Sequence, residues 1–294
     1  MVANGRRGVN LARREGTCAV PRNGPDPVLP ADETLRGRID PTVPHIARIY
    51  DYWLGGKDNF AADREAAERV MEVTPAILPG VRGNRRFLGR AVRYMAGQAG
   101  VRQFLDIGTG IPTASNTHEV AQAVNPGCRI VYADNDPIVL VHARALLTSA
   151  HGSIEYVDAD VRDTRKVLTA AAELLDFRQP AGVMLIAILH CIPAEDDPRG
   201  IVSALLDAVP SGSYLAITHP AIDQVPGHSA QAEASLTRAM GQKVTFRTHA
   251  EVSRFFEGLE LVEPGVVPVQ DWRPDSDLDT VGPTAMWGGL ARKP

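Results

Sequence analysis

Gln103-Phe104-Leu105-Asp106-Ile107-Gly108-Thr109-Gly110-Ile111-Pro112 is an apolar run that carries one acid and ends in a glycine turn. It reads as a buried strand whose carboxyl end meets a nucleotide-like ligand. Glycines at 108 and 110 admit backbone conformations closed to residues with a Cβ, so main-chain N–H groups approach a ligand closely. The acid discriminates between ligands. A carboxylate beside the turn repels a pyrophosphate and attracts a cationic amino group, pointing away from NAD and toward S-adenosylmethionine. The third glycine of the dinucleotide fingerprint is also missing, because Ile111-Pro112 follows.

Around this segment the pattern alternates. Strands are expected at 102–107, 129–134, 153–158, 182–189 and 213–218. Helices are expected at 84–98, 114–124, 137–148, 163–176, 198–208 and 229–241, and a Thr248-His249-Ala250-Glu251 capping box opens another through about Phe256. Two closing strands near 259–263 and 284–291 suggest an antiparallel hairpin on one edge. The fold class is therefore α/β: a doubly wound, mostly parallel, seven-stranded sheet covered on both faces.

Ligands of such sheets bind beyond the carboxyl ends of the strands, where strand order reverses. Four strand ends carry distinctive residues. Asp106, Gly108 and Gly110 mark the first, Asp134 with Asn135 the second, Asp160 and Val161 the third, and His190 with Cys191 the fourth. A carboxylate ending the second strand accepts hydrogen bonds from both ribose hydroxyls, and charged acceptors make the stronger bonds. A carboxylate after the third strand accepts from the adenine amino group, and alternation lets either Asp158 or Asp160 take that place. Asp136, followed by Pro137, reads as a helix cap, as does Asp163.

The remainder of the chain is ordinary by composition. With 294 residues, 44% hydrophobic, 22% charged and a net charge of −4, it has the content of a globular protein and no cationic footprint for nucleic acid. Three cysteines (18, 128 and 191) are too few for a disulfide framework or a zinc site, which fits a reducing cytoplasm. The longest apolar run, 183–189, is far short of the roughly 20 residues that span a bilayer. Residues 1–40 are Gly-, Pro- and Arg-rich without periodicity and read as a disordered leader. The domain then runs 41–294, with 41–80 as a helical lid broken at Gly55-Gly56 and again at Pro75 and Pro79-Gly80.

Longer strings carry a resemblance. The chain is similar to the actinobacterial family of S-adenosylmethionine-dependent methyltransferases long filed as a domain of unknown function. The resemblance covers about 41–293 and rests on His45-Ile46-Ala47-Arg48-Ile49-Tyr50-Asp51-Tyr52-Trp53-Leu54-Gly55-Gly56-Lys57-Asp58-Asn59-Phe60 and Asn84-Arg85-Arg86-Phe87-Leu88. It continues through 104–113, 131–137 and Leu189-His190-Cys191-Ile192-Pro193. It implies a class I methyltransferase fold, S-adenosylmethionine as cofactor, and cofactor roles at Asp106, Gly108, Gly110, Asp134 and Asp160.

Methyl transfer needs alignment above all, and a base where the acceptor is a hydroxyl or a protonated amine. His190 is the candidate base, set against a histidine merely hydrogen-bonded at a strand end; His219 is the weaker candidate. In the lid, Tyr50, Trp53 and Leu54 are expected to pack, while Tyr52 or Asn59 is expected to line the substrate side. The leading reading is a methyltransferase acting on a small-molecule acceptor. The alternatives are a non-catalytic S-adenosylmethionine-binding regulatory module and a nucleotide-dependent oxidoreductase.

Overall fold

The computed structural model describes residues 37–74, 76–113, 115–146, 154–225, 227–241, 243–276 and 283–294. Most of the leader thus lies outside the described residues. At 37–40 the chain is already packed: Arg38 pairs with Asp158 at 2.6 Å, and Ile39 is buried against Phe60, Ile111 and Val139.

The sheet is built from β1 (Gln103–Ile107), β2 (Arg129–Asp134), β3 (Ile154–Asp158), β4 (Gly182–Ile186), β5 (Tyr214–Pro220), β6 (Glu260–Leu261), β7 (Val267–Pro268) and β8 (Met286–Arg292). Its order is β3-β2-β1-β4-β5-β8-β6, with β7 on β8. The first five strands run parallel, and β8 enters antiparallel between β5 and β6. Order reverses between β1 and β4. The eighth strand, beyond the seven expected, is the two-residue β7.

Side chains alternate across the sheet, as the period of two requires. Leu105, Ile107, Val131, Ala133, Val183 and Leu185 pack with α6 (Thr164–Ala171) and α7 (Pro198–Asp207). Phe104, Ile130, Tyr132 and Met184 pack on the other face with α3 (Ile77–Arg93). Each buried Leu, Ile, Val, Phe or Met among them contributes roughly 1.5–3 kcal/mol. A third cluster joins α1 (Ile46–Trp53) and α2 (Ala61–Val73) to α8 (His228–Met240), so the N-terminal cap is completed by a helix that follows β5. The sheet helices α4 (Thr117–Val124) and α5 (Pro137–Leu146) and the short α9 (His249–Ser253) are the other α-helices among the described residues.

Several boundaries differ from expectation for physical reasons. Helix α3 begins at Ile77, seven residues before the expected start, and passes through Pro79 and Gly80. Pro79 sits in the first turn, where its missing N–H has no intrahelical partner to lose. Gly80 serves close packing: a Cβ there would lie 2.4 Å from the Thr284 main-chain oxygen. Arg90 of this helix is buried and donates to the carbonyls of Val269 and Trp272. Strand β4 ends at Ile186, because Ala187 takes a left-handed φ of 52° and the chain then turns through Leu189–Cys191.

Candidate active site

The carboxyl ends of β1, β2, β3 and β4 and the α1 side of the cap enclose a cavity of about 320 Å³. Asp106, Gly108, Gly110, Asp134, Asn135, Asp160 and Val161 all line it, so the seven expected cofactor residues meet in one place. Their local geometry follows from the chain. Gly108 (φ 70°) donates its amide to the Ala133 carbonyl at 2.8 Å, pinning the turn to β2. A Cβ at Gly108 would lie 2.5 Å from the Ile188 side chain, which gives that glycine a steric reason as well.

Asp134 is the pivot. Its Oδ2 accepts from the Gly110 amide at 2.8 Å and its Oδ1 from the Asp136 amide at 2.9 Å. Each oxygen keeps a further lone pair for a ligand hydroxyl. Burial raises the Asp134 carboxyl, and those two amides oppose the rise. Asp106 accepts from the Thr117 hydroxyl at 2.6 Å. Burial pushes its carboxyl up to about 6, so its ionised form is costly until a cation arrives. Between the two candidates after β3, Asp160 lines the cavity, held by the Arg162 and Asn135 side chains, whereas Asp158 is drawn away by Arg38.

Asp136 and Asp163 cap helices as expected, accepting from the amides of Ile138 at 2.8 Å and Lys166 at 3.0 Å. Asp136 also meets His45 Nδ1 at 2.7 Å, tying the start of the cap to the end of β2. Burial pushes His45 down, but the Asp136 carboxylate, helped by Asp134, more than offsets this, and the net shift is upward.

Three expectations are corrected. Tyr52 and Asn59 do not line the cavity. In α1 the residues facing it are Ile46, Ala47 and Tyr50, and position 52 falls on the opposite face, where the Tyr52 hydroxyl donates to Glu68 at 3.0 Å. Asn59 Nδ2 donates to Asp51 Oδ2 at 2.7 Å. Gly56 serves packing: a Cβ there would lie 1.9 Å from Asp51 Oδ1, so the loop wraps the buried Asp51 carboxylate.

The third correction concerns His190, which is absent from the cavity wall. It lies in the turn after β4, facing a second, smaller cavity, and burial together with the Arg247 charge pulls it down to about 4. His219 is fully engaged, contacting the Pro220 carbonyl at 2.9 Å and receiving Arg247 at 2.7 Å. The thiol of Cys191, pushed up to about 12 by burial, is no nucleophile at neutral pH.

Two residues quoted only within the resemblance also line the cavity. Asn84 and Arg85 line the cavity from α3; Asn84 is buried, donates to the Tyr50 hydroxyl at 2.8 Å and leaves its Oδ1 without a hydrogen bond. A buried acceptor of this kind suits an N–H donor on a ligand. The signal lay in spacing, since Asn84 stands four residues before the core residue Leu88 and so shares its side of the helix.

A family described as S-adenosyl methyltransferase matches residues 32–294. The chain belongs to that family. Its fold is similar to a DUF574 family protein from Streptomyces avermitilis, at 46% identity and TM-score 0.84, covering 87% of this chain and all of that one. It is also similar to a candidate methyltransferase from Thermobifida fusca, at 41% identity and TM-score 0.80, covering 86% of this chain and 96% of that one. No curated protein matches the chain. This methyltransferase uses S-adenosylmethionine. Among the described residues no helix is long and apolar enough to cross a membrane.

Proposed function

We propose that this methyltransferase holds S-adenosylmethionine in the 320 Å³ cavity and passes its methyl group to a small-molecule acceptor in the cytoplasm. The observation carrying the reading is Asp134, buried at the end of β2, with both oxygens already oriented by main-chain amides. That carboxylate would receive the two ribose hydroxyls. Asp160 would receive the adenine amino group, beside the apolar wall of Val161. Asp106 and the unpartnered Asn84 Oδ1 would receive the methionine ammonium, and Arg85 its carboxylate.

The cofactor supplies a methyl group activated on a sulfonium. The protein's part is to bind, orient and exclude water. The cap residues Ile46, Ala47, Tyr50 and Leu54 cover the cavity from above the strand ends, and segment 41–80 serves as its lid. The buried free thiols of Cys128 and Cys191 suit a reducing compartment.

Isothermal titration tests the reading. S-adenosylmethionine binds with micromolar affinity and NAD does not, and Asp134→Ala weakens the former at least 100-fold. Unchanged affinity in the variant would overturn the site.

A further inference from the structure

The second cavity, of about 50 Å³, adjoins the first: Ile46, Tyr50 and Ala187 line both. Its remaining wall comes from the end of α1, from α3 and α8, from the ends of β5 and β8 and from nearby loops, and includes Trp53, Leu236, Phe246 and Met286. Among the described residues that line it there is no Asp, Glu, Lys or Arg. A charged occupant would therefore be buried without a counter-charge, at prohibitive cost.

Two polar atoms in this wall lack partners. His190, 5% exposed, has an Nδ1 without a hydrogen bond, and Ser229, 1% exposed, has an Oγ without one. An unsatisfied buried polar group costs about 1–3 kcal/mol, so two on one small apolar cavity point to a ligand that satisfies them. The wall also stores backbone strain. Ala187 and Ala285, both with a Cβ, hold left-handed φ values of 52° and 49°. Strain of this kind gathers at binding sites.

The His190 turn is fixed from behind. The Arg247 guanidinium donates to the carbonyls of Leu189 and Ile192, at 2.8 Å each, and to His219. His190 is thus held in place while its own Nδ1 stays open.

We propose that this cavity anchors the methyl acceptor, and that it selects a neutral, largely apolar molecule bearing a hydroxyl, which bonds to His190 Nδ1 and Ser229 Oγ. The inference rests on the methyl-transfer reading above. Its volume takes the hydroxyl-bearing end of such a molecule, and the remainder passes Tyr50 and Ala187 toward the cofactor cavity. The imidazole is neutral at pH 7 and serves as a hydrogen-bonding partner that orients the acceptor. A carboxylate or ammonium at that end is rejected by the uncharged wall, and a bare hydrocarbon end leaves both polar atoms unpaired.

Calorimetric titration of the full chain with phenol, toluene and benzoate, with and without saturating S-adenosylhomocysteine, tests this. Phenol is expected to bind at least tenfold more tightly than toluene, and benzoate not to bind. In His190→Ala and Ser229→Ala the phenol preference shrinks to less than threefold while toluene binding persists, which also shows that the variants are folded. In Ala232→Phe, whose side chain fills the cavity, phenol binding is lost while S-adenosylhomocysteine affinity stays within threefold. A phenol preference that is absent, or that survives His190→Ala, would overturn the proposal, as would benzoate binding like phenol. If S-adenosylhomocysteine binds normally and phenol shows no preference, this inference alone fails. If phenol behaves as expected and S-adenosylhomocysteine does not bind, the anchoring site stands and the cofactor reading fails.

Discussion

Replacing Asp106 by Asn should stabilise the protein while damaging its cofactor site. Asp106 is 3% exposed, and burial moves its carboxyl from 3.8 to about 6. The sign follows from linkage. A carboxyl raised in the folded state binds its proton more tightly than in the unfolded chain, so its favourable contribution is present below 3.8 and lost as pH rises through about 6. A shift of about two units makes the ionised group cost roughly 3 kcal/mol at pH 7.5, and about half that at pH 5. Asn keeps an oxygen for the Thr117 hydroxyl but brings an amide that needs a partner, which offsets about 1 kcal/mol. The net gain at pH 7.5 is then about 2 kcal/mol, or roughly 4–8 °C in Tm for a domain of this size. Scanning calorimetry at pH 5 and 7.5 should find the larger gain at the higher pH, and titration should find S-adenosylmethionine affinity reduced at least tenfold. A variant no more stable than the parent, a gain that does not shrink at pH 5, or unchanged affinity would refute the reasoning.

Two further outcomes follow from the geometry. Gly56→Ala places a Cβ 1.9 Å from Asp51 Oδ1 and should lower stability by about 1–3 kcal/mol, read as a lower urea midpoint; an unchanged midpoint would show that the loop does not need to wrap that carboxylate. The upward net shift of His45 means its contribution is present below 6.5 and lost as pH rises through the raised value, so His45→Gln should flatten the stability profile in that window, and an identical slope in parent and variant would remove the Asp136 tie from the account.

What the sequence made legible was what depends on local pattern. The β1 run, the glycine turn and the acid ending β2 follow from burial on both faces and from backbone freedom, and all seven expected cofactor residues share one cavity. Features set by distant contacts were not legible. Pro79-Gly80 reads as a break, yet helix α3 runs through it because the first turn tolerates proline and Thr284 crowds position 80. Gly55-Gly56 reads as a break in the lid and Asn59 as a substrate-side residue, and the reason for both is the Asp51 carboxylate a few residues earlier. His190 is expected at the end of the fourth strand, but that strand stops at Ile186 and the turn that follows at Ala187 carries His190 into the second cavity. The joining of α8 to the N-terminal cap is a contact across more than 150 residues that no local pattern announces.

The most direct test of the central claim is a crystal structure of the full chain with S-adenosylhomocysteine. The ribose hydroxyls are expected on the Asp134 carboxylate and the amino group beside Asp106 and Asn84 Oδ1. A ligand bound in any other place, or bound here with Asp134 untouched, would contradict it.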